Sequence, residues 1–424
     1  MKQSRYNHIV HINGKDFLFN SFSRKTILLN TQVWDCLYSS AKDADCERLL
    51  KEMGYLVDDD INETKIVENL FVKRKFSNRT YQLTINASLN CNLGCWYCYE
   101  THLPKSNMTM DLAHRILLHV ENQAIVEKYE LLHLTFFGGE PLLNIKTVIY
   151  IVEEVVKLST KYGFKVLYTF VTNGTLITSK FREIIKDQNV TFQITFDGIK
   201  EKHNSVRKFK ANNETGSYDM IIGNLQKLRE DCPKANFIVR INYDELTLKN
   251  ISELLNDLSF LSPQLSCYSL ARVWQCRHFE KEEELLFSAI NSINERGYLV
   301  NSFRFQNKYE CCYADNYNQA VINYNGSVFK CTARDFKDKS SFGILDKHGL
   351  IEWNIAELNK RLMLAMPVEC KECSLLPCCP GICSQKRLEK TPFECVLNVT
   401  TKENIILFNI KQDAIQKRIT NRNE

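Results

Sequence analysis

The stretch Leu83-Thr-Ile-Asn-Ala-Ser-Leu-Asn-Cys91-Asn-Leu-Gly-Cys95-Trp-Tyr-Cys98 runs from a strand-like segment straight into three cysteines. Residues 83–89 read as a buried strand, and Cys91, Cys95 and Cys98 fall on the loop that leaves its C-terminal end. Three thiolates on one short loop can hold three irons of a 4Fe–4S cube. The remaining iron then has no protein ligand and is a place for a small molecule to chelate. The same spacing also allows a zinc knuckle, with His102 as the fourth ligand.

The strand is the first of a series. Strand patterns at 83–89, 132–137, 166–171, 191–196, 236–242 and 264–270 alternate with helical patterns such as 144–162, 178–186, 218–230 and 251–261. Six strands alternating with helices imply a parallel sheet, open or curled into a barrel. Ligands of such folds bind in the loops beyond the C-terminal strand ends, where the cysteine loop lies.

The flanks read differently. Short strands at 6–12, 16–20 and 26–29, then helices at 32–40, 46–53 and 63–71, suggest a small winged-helix-like module over residues 1–78. After a charged helix at 282–295 the chain becomes cysteine-rich and irregular, and 402–419 reads as a final helix. Five consecutive segments are therefore expected: the module 1–78, the α/β part 79–275, a linker helix 276–310, the cysteine-rich domain 311–400 and a C-terminal helix 401–424.

Composition limits the function. The chain has 424 residues, enough for two or three domains, with 44% hydrophobic and 25% charged residues, as in soluble globular proteins. Eight prolines and 15 glycines exclude fibrous and disordered classes. A net charge of +5 is too small to argue for nucleic acid. No apolar run approaches the length of a membrane span, and the start, MKQSRYNHIVHING, lacks a signal-peptide pattern, so a cytoplasmic protein is expected. In a reducing compartment, 17 cysteines, nine of them between 311 and 395, point to metal or iron–sulfur ligation rather than disulfides. Cys36, Cys46, Cys232 and Cys267 read as buried apolar residues.

The CxxxCxxC spacing after the first strand, with an aromatic before its last cysteine, resembles the radical S-adenosylmethionine (SAM) enzymes. The resemblance implies a partial (β/α)6 TIM-like barrel and a 4Fe–4S cluster on Cys91, Cys95 and Cys98. The open iron would chelate SAM, whose reductive cleavage gives a radical that abstracts hydrogen from the substrate. Gly138-Gly139-Glu140 looks like the family's glycine-glycine-glutamate segment: the glycines would let backbone approach the ligand, and the carboxylate would accept from a cationic amine. Thr172 and Asn173 end the third strand, where the family contacts the cofactor. Phe196-Asp197-Gly198 with His203, Asn204 and Arg207 resembles the stretch after strand four, with Arg207 as a clamp on the SAM carboxylate or a solvated surface residue. Arg240 and Asn242 sit where the family also places polar cofactor contacts, or form a satisfied buried pair.

Further on, Cys312, Cys331, Cys370, Cys373, Cys379, Cys383 and Cys395 resemble the seven-cysteine SPASM extension, which carries two auxiliary clusters. By that resemblance Cys370, Cys373, Cys379 and Cys395 hold the outer cluster, and Cys312, Cys331 and Cys383 the inner one, giving three 4Fe–4S clusters in all. The doublets Cys311/Cys312 and Cys378/Cys379 leave the ligand open within each pair, and Cys311 or Cys276 is a candidate fourth inner ligand; otherwise one iron stays open.

The N-terminal module resembles the shortened precursor-recognition units of ribosomal peptide maturases, which take a leader peptide by strand addition. The expected function is thus a radical SAM/SPASM peptide maturase that forms a thioether or carbon–carbon crosslink in a leader-bearing precursor, with flavodoxin or ferredoxin as electron donor. Alternatives are a side-chain oxidase of the anaerobic sulfatase-maturating type, for which the acid at Asp335 is a loose match, and a non-catalytic zinc-binding interaction protein. Because residues 1–75 carry none of the clustered cysteines, the module is expected to be dispensable for radical formation.

Overall fold

The computed structural model describes every residue except 40–42, 213–215, 274, 306–309, 338–339, 380, 399 and 422–424, so the final position of the expected helix 32–40 and the last three of 401–424 lie outside the described residues. The chain divides into two units, neither continuous in sequence. One comprises Met1–Ser77, Phe303–Tyr317 and Lys360–Asp413; the other comprises Asn78–Ser302, Asn318–Asn359 and Ala414–Glu424.

The first unit begins with β1 (Lys2–Gln3) and a meander of β2 (Asn7–Ile12), β3 (Lys15–Asn20) and β4 (Thr26–Leu28) in antiparallel order β2-β3-β4. Asn13-Gly14 closes the first hairpin, both residues at positive φ, as a two-residue turn of this kind requires. Helices α1 (Thr31–Tyr38), α2 (Ala44–Met53) and α3 (Glu63–Lys75) follow, and β5 (Leu56–Val57) pairs with β1. Asn30, Asp43 and Asn62 cap the three helices by accepting from backbone amides in the first turn.

The module does not stand alone. Tyr6, Val67 and Phe71 share a core with Cys370 and Leu376, and Val10 and Phe19 share another with Leu375, Ile405 and Ile406. Ser21 Oγ donates to the Ser374 carbonyl at 2.6 Å, and the Cys378 thiol donates to the Ser21 carbonyl at 2.8 Å. Its apolar face is one wall of the cysteine-rich segment 360–413, so removing the module would expose that segment.

The second unit is built on β6 (Thr80–Ser88), β7 (Leu131–Gly138), β8 (Lys165–Thr172), β9 (Val190–Phe196), β10 (Asn236–Tyr243) and β11 (Ser266–Arg272), six parallel strands in sequence order. Between them run α4 (Met110–Val126), α5 (Ile145–Tyr162), α6 (Ser179–Ile185), α7 (Lys200–Val206), α8 (Tyr218–Asp231), α9 (Glu245–Lys249) and α10 (Ile251–Asp257), with α11 (Glu282–Glu295) before the short β12 (Leu299–Val300). The central strands alternate between buried and half-buried positions, most regularly in β9 and β10. On the buried face Phe136, Phe170, Phe192 and Phe237 stack across four strands, and Phe181 of α6 meets Phe170 edge-on. Each such ring contributes about 1.5–3 kcal/mol of burial. The opposite face carries His133, Thr135, Thr169, Gln193, Thr195, Arg240, Asn242 and Ser269, all half-buried. One face thus packs against helices, and the other mixes these polar side chains with Phe137, Leu167, Val171 and Ile238.

Part of the segment expected to be irregular is ordered sheet. β13 (Gln319–Ile322) runs parallel to β6, and β14 (Ser327–Phe329), β15 (Gly343–Leu345) and β16 (Ile351–Trp353) extend the same sheet antiparallel beyond it, to eleven strands. Asn325-Gly326, with Gly326 at φ +89°, makes the β13–β14 turn. Cys331 follows this hairpin and belongs to the second unit, whereas Cys312 and Cys383 belong to the first.

Candidate active site

The cysteine loop leaves β6 and is held on several sides. Gly94 N donates to the Lys208 carbonyl and Lys210 N to the Asn92 carbonyl, both at 2.9 Å, around a bridge between Leu93 and Phe209. Gly138 and Gly139 lie directly against the entry to the loop. Gly139 N donates to Ser88 O and Glu140 N to Asn90 O. A Cβ on Gly138 would lie 2.3 Å from Ser88 O, and one on Gly139 2.3 Å from Asn90 O. These glycines therefore admit protein backbone, where the sequence had suggested room for a ligand.

Glu140 is fully buried, and its carboxylate accepts from Thr172 Oγ1 (2.7 Å), Asn173 N (2.7 Å) and Leu142 N (2.9 Å). Burial pushes its carboxyl up, and the donors from Asn173, Thr172 and Leu142 oppose the shift. The capacity expected for a cationic amine is taken by the ends of β7 and β8. Next to it, Asn173 Nδ2 donates to Asn92 Oδ1 at 2.8 Å and lies 3.7 Å from Cys91 Sγ, and Asn92 Nδ2 donates to Thr175 Oγ1. Asn92 and Thr175 had no signal in the sequence beyond their proximity to Cys91 and Asn173.

The middle of the loop is fastened by Tyr97. Its hydroxyl donates to Asp197 Oδ2 (2.7 Å) beyond β9 and accepts from Asn242 Nδ2 (2.9 Å) of β10 and from Arg207 Nη1 (3.1 Å). Its carbonyl accepts from Gln275 Nε2 (2.6 Å), beyond β11. In a flat sheet β6 and β10 would be about 19 Å apart, four strand spacings, and the loop from Ser88 to Tyr97 is long enough to span that distance across the strand ends. Arg207 is buried, with Nη1 also 3.4 Å from Asp197 Oδ2, so it is not a solvated surface residue. His203 and Ser217 lie behind this pair, His203 Nε2 at 3.1 Å from Ser217 Oγ and Ser217 Oγ donating to Arg207 O.

The thiols are graded in exposure: Cys91 buried, Cys95 half-buried, Cys98 exposed. Burial pushes Cys91 up to about 12, with Glu140 adding to the shift, and raises Cys95 and Cys98, which Arg207 opposes in both. Thiols so placed stay protonated until a cation arrives, which suits a metal-dependent site. His102 Nε2 lies 3.5 Å from Cys98 Sγ, and its Nδ1 faces Lys210 Nζ at 2.9 Å. Among the described residues no three His, Cys, Asp or Glu close around a single ion. Three thiols on one loop, with polar side chains of the sheet beside them, fit a cluster with one iron free of protein.

In the first unit Cys370, Cys373, Cys379 and Cys395 line one cavity of about 320 Å³, walled by Leu375, Ile382 and Phe393. Burial pushes Cys379 up to about 12, and the nearby Cys395, Cys370 and Cys373 add to it. Its neighbour Cys378 turns away to Ser21 O. Cys311 is packed against the Tyr6–Leu376 core and donates to Asn316 Oδ1 at 3.1 Å. Arg361, 1% exposed, joins the segments of Cys312 and Cys383: Nε donates to Asp315 Oδ1 (3.1 Å) and Nη1 to Gln385 Oε1 (2.7 Å), and Ser384 Oγ bonds Asp315.

Residues 85–258 match the family described as the Radical SAM superfamily. The chain carries a radical SAM domain. The match favours the enzyme over the non-catalytic zinc protein, and it spans the loop that Tyr97 and the two glycines fix here. The chain is 26% identical over 339 residues to the cysteine-type anaerobic sulfatase-maturating enzyme of Clostridium novyi, covering 72% of this chain and 88% of that one. It is 29% identical over 157 residues to the radical SAM cyclopropyl synthase TigE of Paramaledivibacter caminithermalis, 34% of this chain and 32% of that one. Its fold is similar to that of anSMEcpe with bound AdoMet, at 20% identity and TM-score 0.57, covering 80% of this chain and 99% of that one. It is also similar to that of Streptococcus suis SuiB bound to precursor peptide SuiA, at 14% identity and TM-score 0.55, covering 94% and 99%. No helix among the described residues is long and apolar enough to cross a membrane.

Proposed function

We propose that this chain is a radical SAM maturase of ribosomally made peptides, which abstracts hydrogen from a core-peptide residue and forms a thioether or carbon–carbon crosslink. The observation that carries this reading is the sheet β2-β3-β4. The β2 edge is met by Glu403, which accepts from His11 N at 3.1 Å, while among the described residues no strand pairs with the outer edge of β4. Leu28 on that edge and Trp34 and Tyr38 just after it are more than 40% exposed. An extended leader peptide would add to β4 through backbone hydrogen bonds. Fold coverage supports this: the SuiB fold accounts for 94% of this chain and the anSMEcpe fold for 80%.

In this reading Cys91, Cys95 and Cys98 hold the cluster that binds SAM, which together supply a hydrogen-abstracting radical. Thr172, Asn173 and Glu140 keep the strand ends closed around Cys91, while Arg207 and Arg240 offer positive charge to the cofactor or substrate. Cys370, Cys373, Cys379 and Cys395 hold the outer auxiliary cluster; Cys312, Cys331 and Cys383 are assigned to the inner one by the resemblance to the SPASM extension. Flavodoxin or ferredoxin would deliver the electron.

A second reading, a side-chain oxidase, is favoured by the name of the Clostridium novyi relative. Against it, the Asp335 carboxylate is engaged by Thr101 Oγ1 (2.8 Å) and Lys337 Nζ (3.1 Å); burial raises its pKa, but Thr101 and Lys337 outweigh it and hold the carboxyl low. Anaerobic turnover of a leader-bearing candidate peptide from a neighbouring reading frame, where one is found, followed by tandem mass spectrometry, decides. Loss of two hydrogens with two residues joined supports the maturase; an aldehyde trapped by a hydrazine supports the oxidase and overturns it.

A further inference from the structure

Arg240 stands in the middle of β10 on the half-buried face of the sheet. Its in-register neighbours are Thr195 on β9 and Ser269 on β11, so all three side chains leave the same face at adjacent strand spacings of about 5 Å. Arg240 Nε donates to Asn242 Oδ1 at 3.0 Å, and Asn242 Nδ2 in turn donates to the Tyr97 hydroxyl. The guanidinium is thereby fixed through one nitrogen, and its two terminal nitrogens remain for a ligand. No ion pair to Arg240 occurs among the described residues. The near carboxylate, Asp197, already faces Arg207 and Tyr97. Burial lowers the affinity of Arg240 for its proton, the mark of a desolvated cation without a full partner. Along the same face Thr135, Thr169, Gln193, Thr195 and Ser269 are neutral and half-buried.

The geometry points to a carboxylate-binding site made of Arg240, Thr195 and Ser269, which reads an acidic side chain or the C-terminal carboxylate of the peptide substrate. A planar fork flanked by two hydroxyls matches a carboxylate bidentately and adds a donor on either side. The site lies three residues before the end of β10, about 10 Å below the strand-end loops that carry Cys91, Asn173 and Asp197. A carboxylate bound here belongs to a group lying deeper than those loops. The alternative source is the α-carboxylate of SAM, which shares the chemistry. This inference rests on the peptide-maturase reading, but its test needs no turnover.

The test uses reconstituted holoenzyme and anaerobic titration calorimetry with acetyl-Gly-Glu-Gly-amide and acetyl-Gly-Gln-Gly-amide, with S-adenosylhomocysteine saturating the cofactor site. The intact enzyme should bind the glutamate peptide at least about tenfold more tightly, one charge-assisted pair. Arg240→Gln should bring the two peptides within about twofold, Arg240→Lys should restore part of the preference, and Thr195→Val should reduce it severalfold. A parallel titration of S-adenosylhomocysteine identifies the source. If Arg240→Gln weakens S-adenosylhomocysteine by tenfold or more and leaves the peptide preference intact, the carboxylate is the cofactor's and the inference is overturned. Equal binding of both peptides to the intact enzyme also overturns it. Failure of the crosslinking assay with the glutamate preference intact would instead count only against the crosslinking reading.

Discussion

The two thiol groups are held in different ways. Cys91, Cys95 and Cys98 sit on a loop that a parallel sheet fixes through backbone and side-chain hydrogen bonds to Ser88, Asn90, Lys208, Asp197 and Gln275. Cys370, Cys373, Cys379 and Cys395 line a cavity whose walls are short turns and apolar side chains of residues 369–405, and the N-terminal module shares the apolar cores behind Cys370, Leu375 and Leu376. The first group has a scaffold that stands without metal. The second has little regular structure of its own, so metal there adds to folding as in other structural sites. The contrast teaches that loss of ligands should cost activity in one region and stability in the other.

The largest effect expected is the one that isolates the contrast. Cys91, Cys95 and Cys98 all replaced by Ala should bring 5′-deoxyadenosine formation to background and remove about four irons per chain, leaving about eight and an unchanged circular dichroism spectrum. Residual SAM cleavage under dithionite would show that the cluster is elsewhere. Cys373→Ala should do the reverse: lower soluble yield and iron together, while SAM cleavage survives in whatever folds. Full iron and full solubility in that variant would break the comparison.

Removal of residues 1–75 comes next. It strips Tyr6, Val10, Phe19, Val67 and Phe71 from the cores that enclose Cys370, Leu375 and Leu376. The truncated chain should lose auxiliary iron, read by iron and sulfide analysis, before any loss of peptide binding can be ascribed to β4. Retention of about eight auxiliary irons would mean that 360–413 folds without its wall.

Gly139→Ala probes the scaffold of the first group without touching a thiol. Its Cβ would meet Asn90 O at 2.3 Å and Leu89 O at 2.7 Å, both backbone and neither able to yield like a side chain. A loss of about 3 kcal/mol, the upper end for overpacking, is expected in chemical denaturation, together with poorer cluster uptake on reconstitution.

The smallest effect lies away from both groups. His119 is buried, accepts from the Tyr81 hydroxyl at Nε2 (2.6 Å), and donates from Nδ1 to Gly349 O (2.9 Å). Burial lowers it to about 4, against the Gly349 carbonyl, which favours the charged form. A lowered histidine gives its full stabilisation above the unfolded value near 6.5 and loses it as pH falls toward 4. His119→Gln should therefore flatten the acid limb of the stability profile between pH 6.5 and 4, by about 2 kcal/mol at pH 5. An unchanged slope in the variant would remove His119 as its cause.

Much of this was legible in the chain. The period-two alternation of 191–196 and 236–242 announces strands, and CxxxCxxC after the strand 83–89 announces the cluster loop. The short strands β13–β16 escaped because four- and three-residue runs carry too little periodicity, although Asn325-Gly326 marked their first turn. The glycines of 138–139 were visible as sites of close approach, but what approaches them, Ser88 and Asn90, lies some fifty residues back in the chain.

By itself the sequence determined the elements and the donor set: strand periods, turn glycines and thiol spacings are local properties that survive any folding of the rest. Tertiary structure alone decided which groups share a neighbourhood. Cys379 and Cys378 are adjacent and chemically identical, yet one lines the four-thiol cavity and the other bonds Ser21. Tyr97 reaches β10 because the cysteine loop crosses the strand ends, and Glu140 closes on Thr172 and Asn173 because β7 and β8 end together. The physical reason is the same in each case. Hydrogen bonds and burial act over a few ångströms of space, and the residues they join here lie tens to hundreds of positions apart along the chain.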